Sequence, residues 1–549
     1  TVRHFNREVA RELETLLERT GPLKCQDPWD PGHPLSEAGK DLRRLLREYL
    51  PLTFSRRHGD PSRPWNRFDI VIRESDGSPR YAYQGNWRDI FQNWEALLHS
   101  WPEYLEAAIS RFLNASTADG YNPYRLTKEG YDWETLDPDD PWANIGYWGD
   151  HQIIYLLRLL EASHRFHPER LSALLKEEAY VYAEIPYRIR DYKEILSNPR
   201  ETIDYDTEWE ARIEERVREI GADGKLMPHP EGGLNTVSLM EKLLNPLVSK
   251  LSNFIPGGGI WMNTQRPEWN DANNALVGYG ISVVTLGYVA RYLDFLLSSF
   301  EEALESGEFS ISRELADVID RQIETFSTQG LASTPEERLA MMEALGSSAS
   351  AFRSQLYDAG LSGEKVSLGG TRIRQFLEAA RRHVLASLAG NRREDGLWHS
   401  YNLLRIDGKG AHIRHLQVML EGQVSILSSG TLDEASVLRL LRALPESDLY
   451  RPDQDSYILY PDRGLPALLD KNRVPASRVE AVPILKALVD AGDTRIIKKR
   501  PSGDYAFAAD IHNVEDLKSA LHSVGSESGI ASVTEAGMSP VLELYEQTF

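Results

Sequence analysis

Pro267-Glu-Trp-Asn-Asp-Ala-Asn-Asn274 closes a stretch that begins with the glycine-rich Pro256-Gly-Gly-Gly259 and opens an apolar helical pattern over 273–299. An aspartate at a helix start has an ordinary task, capping the free backbone N–H groups. The surroundings of Asp271 ask for more. Trp269, Asn270, Asn273 and Asn274 crowd one turn with planar hydrogen-bonding groups. Burying such groups is costly unless each finds a partner, and the hydroxyls of a polyol supply partners.

Outward from this turn, apolar residues recur with helical spacing. Long helices are predicted over 87–113, 149–164, 207–220, 236–251, 273–299, 310–329, 334–359, 371–388, 412–429 and 432–444. Glycine, proline and Asn/Asp clusters separate them, as at Ala389-Gly-Asn-Arg392. Alternating short turns and long polar loops fit a closed ring of helical hairpins, with the long loops gathered at one end around a cleft. A helical solenoid would show a fixed repeat, and none is found. The fold class expected is mainly α, an (α/α)6 barrel over 86–450. A helical linker precedes it at 1–85, with helices at 4–19 and 37–49 and short strands at 68–73 and 79–83 around an Asp76-Gly77 turn. A small α/β or β-rich appendage follows at 451–549, with strands at 456–459, 494–499 and 505–511 and helices at 476–491 and 514–524.

Composition narrows the function. The 549 residues carry a formal charge of −21, which disfavours nucleic acid and anionic membranes as partners. No apolar run approaches the ~20 residues a membrane-spanning helix needs. The first residues lack the apolar core of a secretory signal, and Cys25 is the sole cysteine, so the expected location is the cytoplasm. The missing initial Met and the abrupt end at Phe549 lead us to expect a piece of a longer polypeptide. Twelve Trp and 24 Tyr suit either a large core or a sugar cleft, because ring faces match sugar C–H faces and their N–H and O–H groups match the hydroxyl rim.

Three more segments carry candidate chemistry. Gln84-Gly-Asn-Trp-Arg-Asp-Ile-Phe-Gln-Asn-Trp94 sets Arg88 and Asp89 among Trp87, Gln92, Asn93 and Trp94. As a surface ion pair Arg88 and Asp89 would be worth little; among amides and indoles they resemble a sugar subsite. Asn144-Ile-Gly-Tyr-Trp-Gly-Asp-His-Gln152 leads into a helix, with Asp150 as cap or ligand. His151 has no companion at metal-ligand spacing, and no metal is expected. Trp398-His-Ser-Tyr-Asn402 precedes a helix bearing Glu421 and Gln423, each read equally well as buried structure or as part of the cleft.

Taken in order, the four segments resemble the catalytic barrel of the cellobiose and chitobiose phosphorylases, within the six-hairpin (α/α)6 glycosidase superfamily. The likeness covers roughly residues 80–450. Arg88-Asp-Ile-Phe-Gln-Asn93 stands for the family's Arg-Asp-x-x-Gln-Asp, and Trp148-Gly-Asp-His-Gln152 for Trp-x-Asp-Asp-His-Leu. Pro267-Glu-Trp-Asn-Asp-Ala272 stands for Gly-Asp-Trp-Asn-Asp-Gly, and 418–430 for the helix whose Gln matches Gln423. The resemblance implies that Asp271 is the general acid. It also implies that Arg88 and Asp89 hold the sugar in the cleaved subsite, shaped by Trp269 and Asn270. Asn93 and Ala272 depart from the family's Asp and Gly, and its glycine-rich phosphate loop and N-terminal β-sandwich are not identifiable.

The resemblance implies inverting cleavage of β-linked gluco-oligosaccharides, with phosphorolysis slightly favoured over hydrolysis. A phosphorylase uses inorganic phosphate as co-substrate and needs no other cofactor. A hydrolase needs a second carboxylate ~6.5–9.5 Å from the acid, with Glu421, Glu394 and Asp395 as candidates. A silent carbohydrate-binding barrel is the reading from a different class. An oligosaccharide is the expected partner, with a homodimer the assembly considered.

Overall fold

The computed structural model describes residues 2–20, 39–50, 54–55, 73–78, 83–127, 130–135, 145–147, 152–264, 276–332, 334–462, 467, 471–528 and 535–548. The chain is mainly helical and divides into two compact units, Thr1–Pro461 and Asp462–Phe549.

The larger unit is organised around the helix Leu239–Ser252, every residue of which is buried. Ser238 caps it by accepting from the Glu241 N–H at 3.2 Å. Around it pack Gln152–Phe166, Arg313–Thr328 and Pro335–Ala359, while Val283–Ser299 packs on Gln152–Phe166, Gly370–Gly390 and Leu420–Ser428. Pro335–Ala359 starts where its sequence dictates. Thr334 and Glu337 form a reciprocal capping box, and Pro335 sits in the first turn, where its missing N–H costs nothing.

Two predicted helices divide. The stretch 87–113 becomes Trp87–Leu98 and Leu105–Asn114, because Pro102 starts a new turn rather than continuing the old one. The stretch 412–429 becomes the strand Gly410–His415 and the shorter helix Leu420–Ser428. Gly410 explains that departure. With φ 127° it closes a hairpin with Tyr401–Asp407, at a point where a Cβ would strike the Pro335 backbone. The expected helix 273–299 begins only at Val283 among the described residues, after the strand Gly280–Ser282.

These strands belong to a five-stranded antiparallel sheet. Its order is Gly410–His415, Tyr401–Asp407, Gly280–Ser282, Gly259–Trp261 and Phe254–Ile255. A four-stranded sheet joins Phe54–Ser55, Tyr83–Asn86, Arg125–Thr127 and Gly130–Asp132. The Asp76-Gly77 turn forms, with the Gly77 N–H donating to Glu74 at 2.9 Å. The expected strands at 68–73 and 79–83 lie largely outside the described residues.

The smaller unit has its own apolar core, including Val474, Leu485, Ile497, Phe507, Leu517 and Val541. A hairpin pairs Ile497–Lys499 with Tyr505–Phe507. The helix expected over 476–491 splits at Pro483 into Ala476–Glu480 and Pro483–Asp490, and Val514–Ser528 and Glu535–Thr548 follow.

Candidate active site

Asp271, with Trp269 and Asn270, lies in 265–275, outside the described residues; so do Asp150 and His151. The structure does describe what anchors these segments. Gly259–Trp261 leads toward 265–275 and Gly280–Ser282 leads away from it. The two strands pair directly, Ile260 with Ser282 and Trp261 with Ile281. Thr264 and Leu276, the flanking residues, therefore emerge from one sheet. Gly278 completes the return with φ 80°, where a Cβ would meet the carbonyl of Pro199. Met262 and Leu276 pack with Tyr401, within the fourth segment, and with Met419, just before the helix that follows it.

A chain of polar contacts joins the third segment to this anchor. Thr264 Oγ1 donates to the Tyr147 carbonyl at 3.4 Å. The Tyr147 ring stacks on Tyr121, with centroids 4.8 Å apart and planes at 19°. Asn253 Nδ2 donates to the Tyr121 hydroxyl at 3.2 Å, and Asn263 Nδ2 donates to Asn253 Oδ1 at 2.8 Å. Tyr147 immediately precedes Trp148–His151, so the stems of two candidate segments touch.

The remaining candidates fall into distinct environments. Trp87 is fully buried against Phe91 and Phe112, at 4.8 Å from each, and its Nε1–H has no partner among the described residues. Arg88 and Asp89 follow it in the first turn of Trp87–Leu98, and their side chains are outside the description. Gln92 is exposed. Glu421 is half-buried in the first turn of Leu420–Ser428. Glu394 and Asp395 are exposed, and Asp395 forms an ion pair with Arg393 at 2.7 Å.

Gln423 is committed to the backbone. Its Oε1 accepts from the Trp398 N–H at 2.8 Å, and its Nε2 donates to the carbonyls of Trp398 at 2.7 Å and Met419 at 2.9 Å. Both amide hydrogens are thereby used, so Gln423 acts as a clamp on the fourth segment rather than as a free sugar ligand.

Three features escaped the sequence reading. His399 and His415 stack at 4.0 Å with planes at 7°. Burial, the neighbouring His415 and Arg393 push His399 down to about 4, and burial with Arg393 lowers His415 as well, so both rings are neutral near pH 7. The pair forms because hairpin register sets His415 across from Asn402, whose Oδ1 lies 2.7 Å from His415 Nδ1. No local motif announces such pairing. The second feature is a buried cluster on Asp119, which accepts from Thr117, from Tyr357 at 2.7 Å and from Tyr147 at 3.5 Å. The third is a cavity of about 500 Å³ lined by Tyr279, Arg405, Asp407, His412 and Arg414 among others.

Residues 465–549 match the model of GH149 phosphorylase insertion domain 2. The match indicates a glycoside phosphorylase enzyme. It falls wholly within the compact unit Asp462–Phe549, defined independently by its own packing. No curated protein matches the chain. Glycoside phosphorylase relationship is thus carried by the smaller unit, while the candidate chemistry lies in the larger. Among the described residues, no helix is long and apolar enough to cross a membrane, and no cluster of His, Cys, Asp and Glu could hold a metal ion.

Proposed function

We propose that the larger unit is the (α/α)6 catalytic barrel of an inverting phosphorylase acting on β-linked gluco-oligosaccharides, related to the cellobiose and chitobiose phosphorylases. The observation that carries this reading is the phosphorylase insertion-domain match at 465–549, on the same chain as the four ordered segments. The convergence of the stems at Tyr147, Thr264, Leu276 and Met419 supports it.

In this mechanism Asp271 is the general acid. It gives its proton to the glycosidic oxygen as the bond from that oxygen to the anomeric carbon breaks. A phosphate oxygen forms a new bond to the same carbon from the opposite face. The products are a sugar 1-phosphate of inverted anomeric configuration and an oligosaccharide one residue shorter. Asp271 must be protonated before the reaction, which partial burial among Trp269 and its neighbours would favour. Arg88, Asp89, Trp269 and Asn270 hold the sugar. Phosphate is placed beside His399 and His415, where a dianion favours the protonated form of imidazoles that burial otherwise holds neutral. Hydrolysis is the weaker reading, because Glu394 and Asp395 are exposed and Asp395 is already paired with Arg393.

The test is incubation with sophoro-, laminari-, cello- and gentio-series oligosaccharides, with and without phosphate. Phosphate-dependent release of sugar 1-phosphate is expected; reducing sugar released equally without phosphate would replace phosphorolysis by hydrolysis. Asp271→Asn should lower kcat about 10²–10⁴-fold, and near-normal turnover in that variant removes the assignment.

A further inference from the structure

Arg353 lies one helical turn before Tyr357 on Pro335–Ala359. It is only 8% exposed. Its charge acts on Asp119 and on the Tyr121 phenol, yet among the described residues its guanidinium makes neither a hydrogen bond nor an ion pair, and its Nε is sealed from solvent. A buried Nε–H without an acceptor leaves one donor of the guanidinium unsatisfied. Asn122, next to Tyr121 in the chain, repeats the pattern: it is fully buried, with neither end of its amide bonded among the described residues. Buried polar groups left open in this way call for a missing partner.

The location identifies that partner. Asp119 accepts from Tyr147, and Tyr121 stacks on Tyr147, whose carbonyl accepts from Thr264. Tyr147 and Thr264 are the last described residues before 148–151 and 265–275, the segments of Asp150 and Asp271. We propose that Arg353 and Asp119 form a clamp for one hydroxyl of the oligosaccharide, the hydroxyl accepting from the Arg353 guanidinium and donating to the Asp119 carboxylate. This rests on the oligosaccharide phosphorylase reading above. A hydroxyl fits because it donates and accepts at one atom. A phosphate fits poorly, since its charge would face that of Asp119. Tyr357, Thr117 and Tyr147 fix the carboxylate, so the clamp is preorganised before sugar arrives.

Arg353→Met should raise KM for the oligosaccharide turned over by the wild type about 10–100-fold, as loss of a charged hydrogen bond to a buried hydroxyl predicts. KM for inorganic phosphate should stay within about twofold, a split that a loosened fold would not produce. Asp119→Asn should move the same KM in the same direction. Arg353→Lys, which keeps the charge and loses the planar fork, should fall between Met and wild type. An unchanged oligosaccharide KM in a well-folded Arg353→Met, or an equal rise for phosphate, overturns the clamp; if Arg353→Met fails to fold, the Lys and Asn variants decide by the same criterion. Should the wild type release no sugar 1-phosphate, the phosphorylase reading fails by itself. Calorimetric titration with the same oligosaccharides then judges the clamp: binding at least tenfold weaker in Arg353→Met sustains it, and equal binding or none to the wild type overturns it.

Discussion

Arg44 and Arg353 are both buried arginines of the larger unit, at 3% and 8% exposure, and they have opposite surroundings. Arg44 pairs with Asp223 at 2.6 Å and with Glu48 at 3.2 Å. Glu48 also accepts from Arg111 at 2.9 Å and Asn114 at 2.6 Å. Burial alone would drive the proton off Arg44, but the Asp223 and Glu48 carboxylates outweigh it and hold the guanidinium charged. Arg353 has no such set of acceptors. Equal burial with unequal satisfaction separates a side chain that completes the fold from one that awaits something else.

The largest expected effect tests the satisfied end of this contrast. Arg44→Met leaves the Asp223 side chain with Asn6, at 3.3 Å, as its one partner among the described residues, and strips Glu48 of one of its cations. Chemical denaturation should show a loss of about 3–5 kcal/mol, the usual result of removing one partner from a buried ion network. A loss below about 1 kcal/mol would mean the network is not what holds Lys40–Arg47 to the 3₁₀ turn Ala222–Lys225.

Gln423 comes next, and it shows what the sequence could and could not convey. Its place opposite a family glutamine suggested a sugar contact, whereas its three hydrogen bonds all go to the backbone of Trp398 and Met419. A residue type and its spacing do not say which way an amide turns; that depends on a strand pairing more than twenty positions away. Helices with strong apolar periodicity are legible: Thr207–Ile220 matches the expected 207–220 to the residue, and Pro335–Ala359 starts one residue after the expected 334. The strand Gly410–His415 is not, because His412, Ile413 and Leu416 also fit a helical stripe and only the glycine turn decides otherwise. Asp119, Tyr147 and Tyr357 are brought together across some 240 positions, which no motif spans. Gln423→Leu should cost about 2 kcal/mol through the stranded Trp398 N–H.

His399 stands between the two arginines. Its Nδ1 is buried with no hydrogen-bond partner among the described residues, and its ring is held in the neutral form by burial, His415 and Arg393. A histidine whose folded pKa lies below its ordinary value binds fewer protons folded than unfolded. Its contribution to stability is therefore complete above the ordinary 6.5 and is lost as pH falls toward about 4. Thermal melts across that window should decline less steeply in His399→Gln than in the wild type. Added phosphate should flatten the wild-type decline if the anion binds there. Parallel curves would remove His399 from both roles.

The smallest expected change is the most discriminating. Arg353→Met removes a buried charge that has no hydrogen bond to lose, and replaces it with a flexible apolar chain of similar reach. Asp119 keeps its three hydroxyl donors and loses only the charge of Arg353. Unfolding free energy in the absence of sugar should therefore move by less than about 1 kcal/mol, because only one unsatisfied Nε–H is removed with the charge. A loss on the scale of Arg44→Met would show that Arg353 is as deeply committed to the fold as Arg44. The contrast between them would then vanish, because satisfaction could no longer be read from the hydrogen bonds around a buried guanidinium. If the small change is found, the free energy that Arg353 withholds from folding remains available for binding, which is how a preorganised site differs from a structural one.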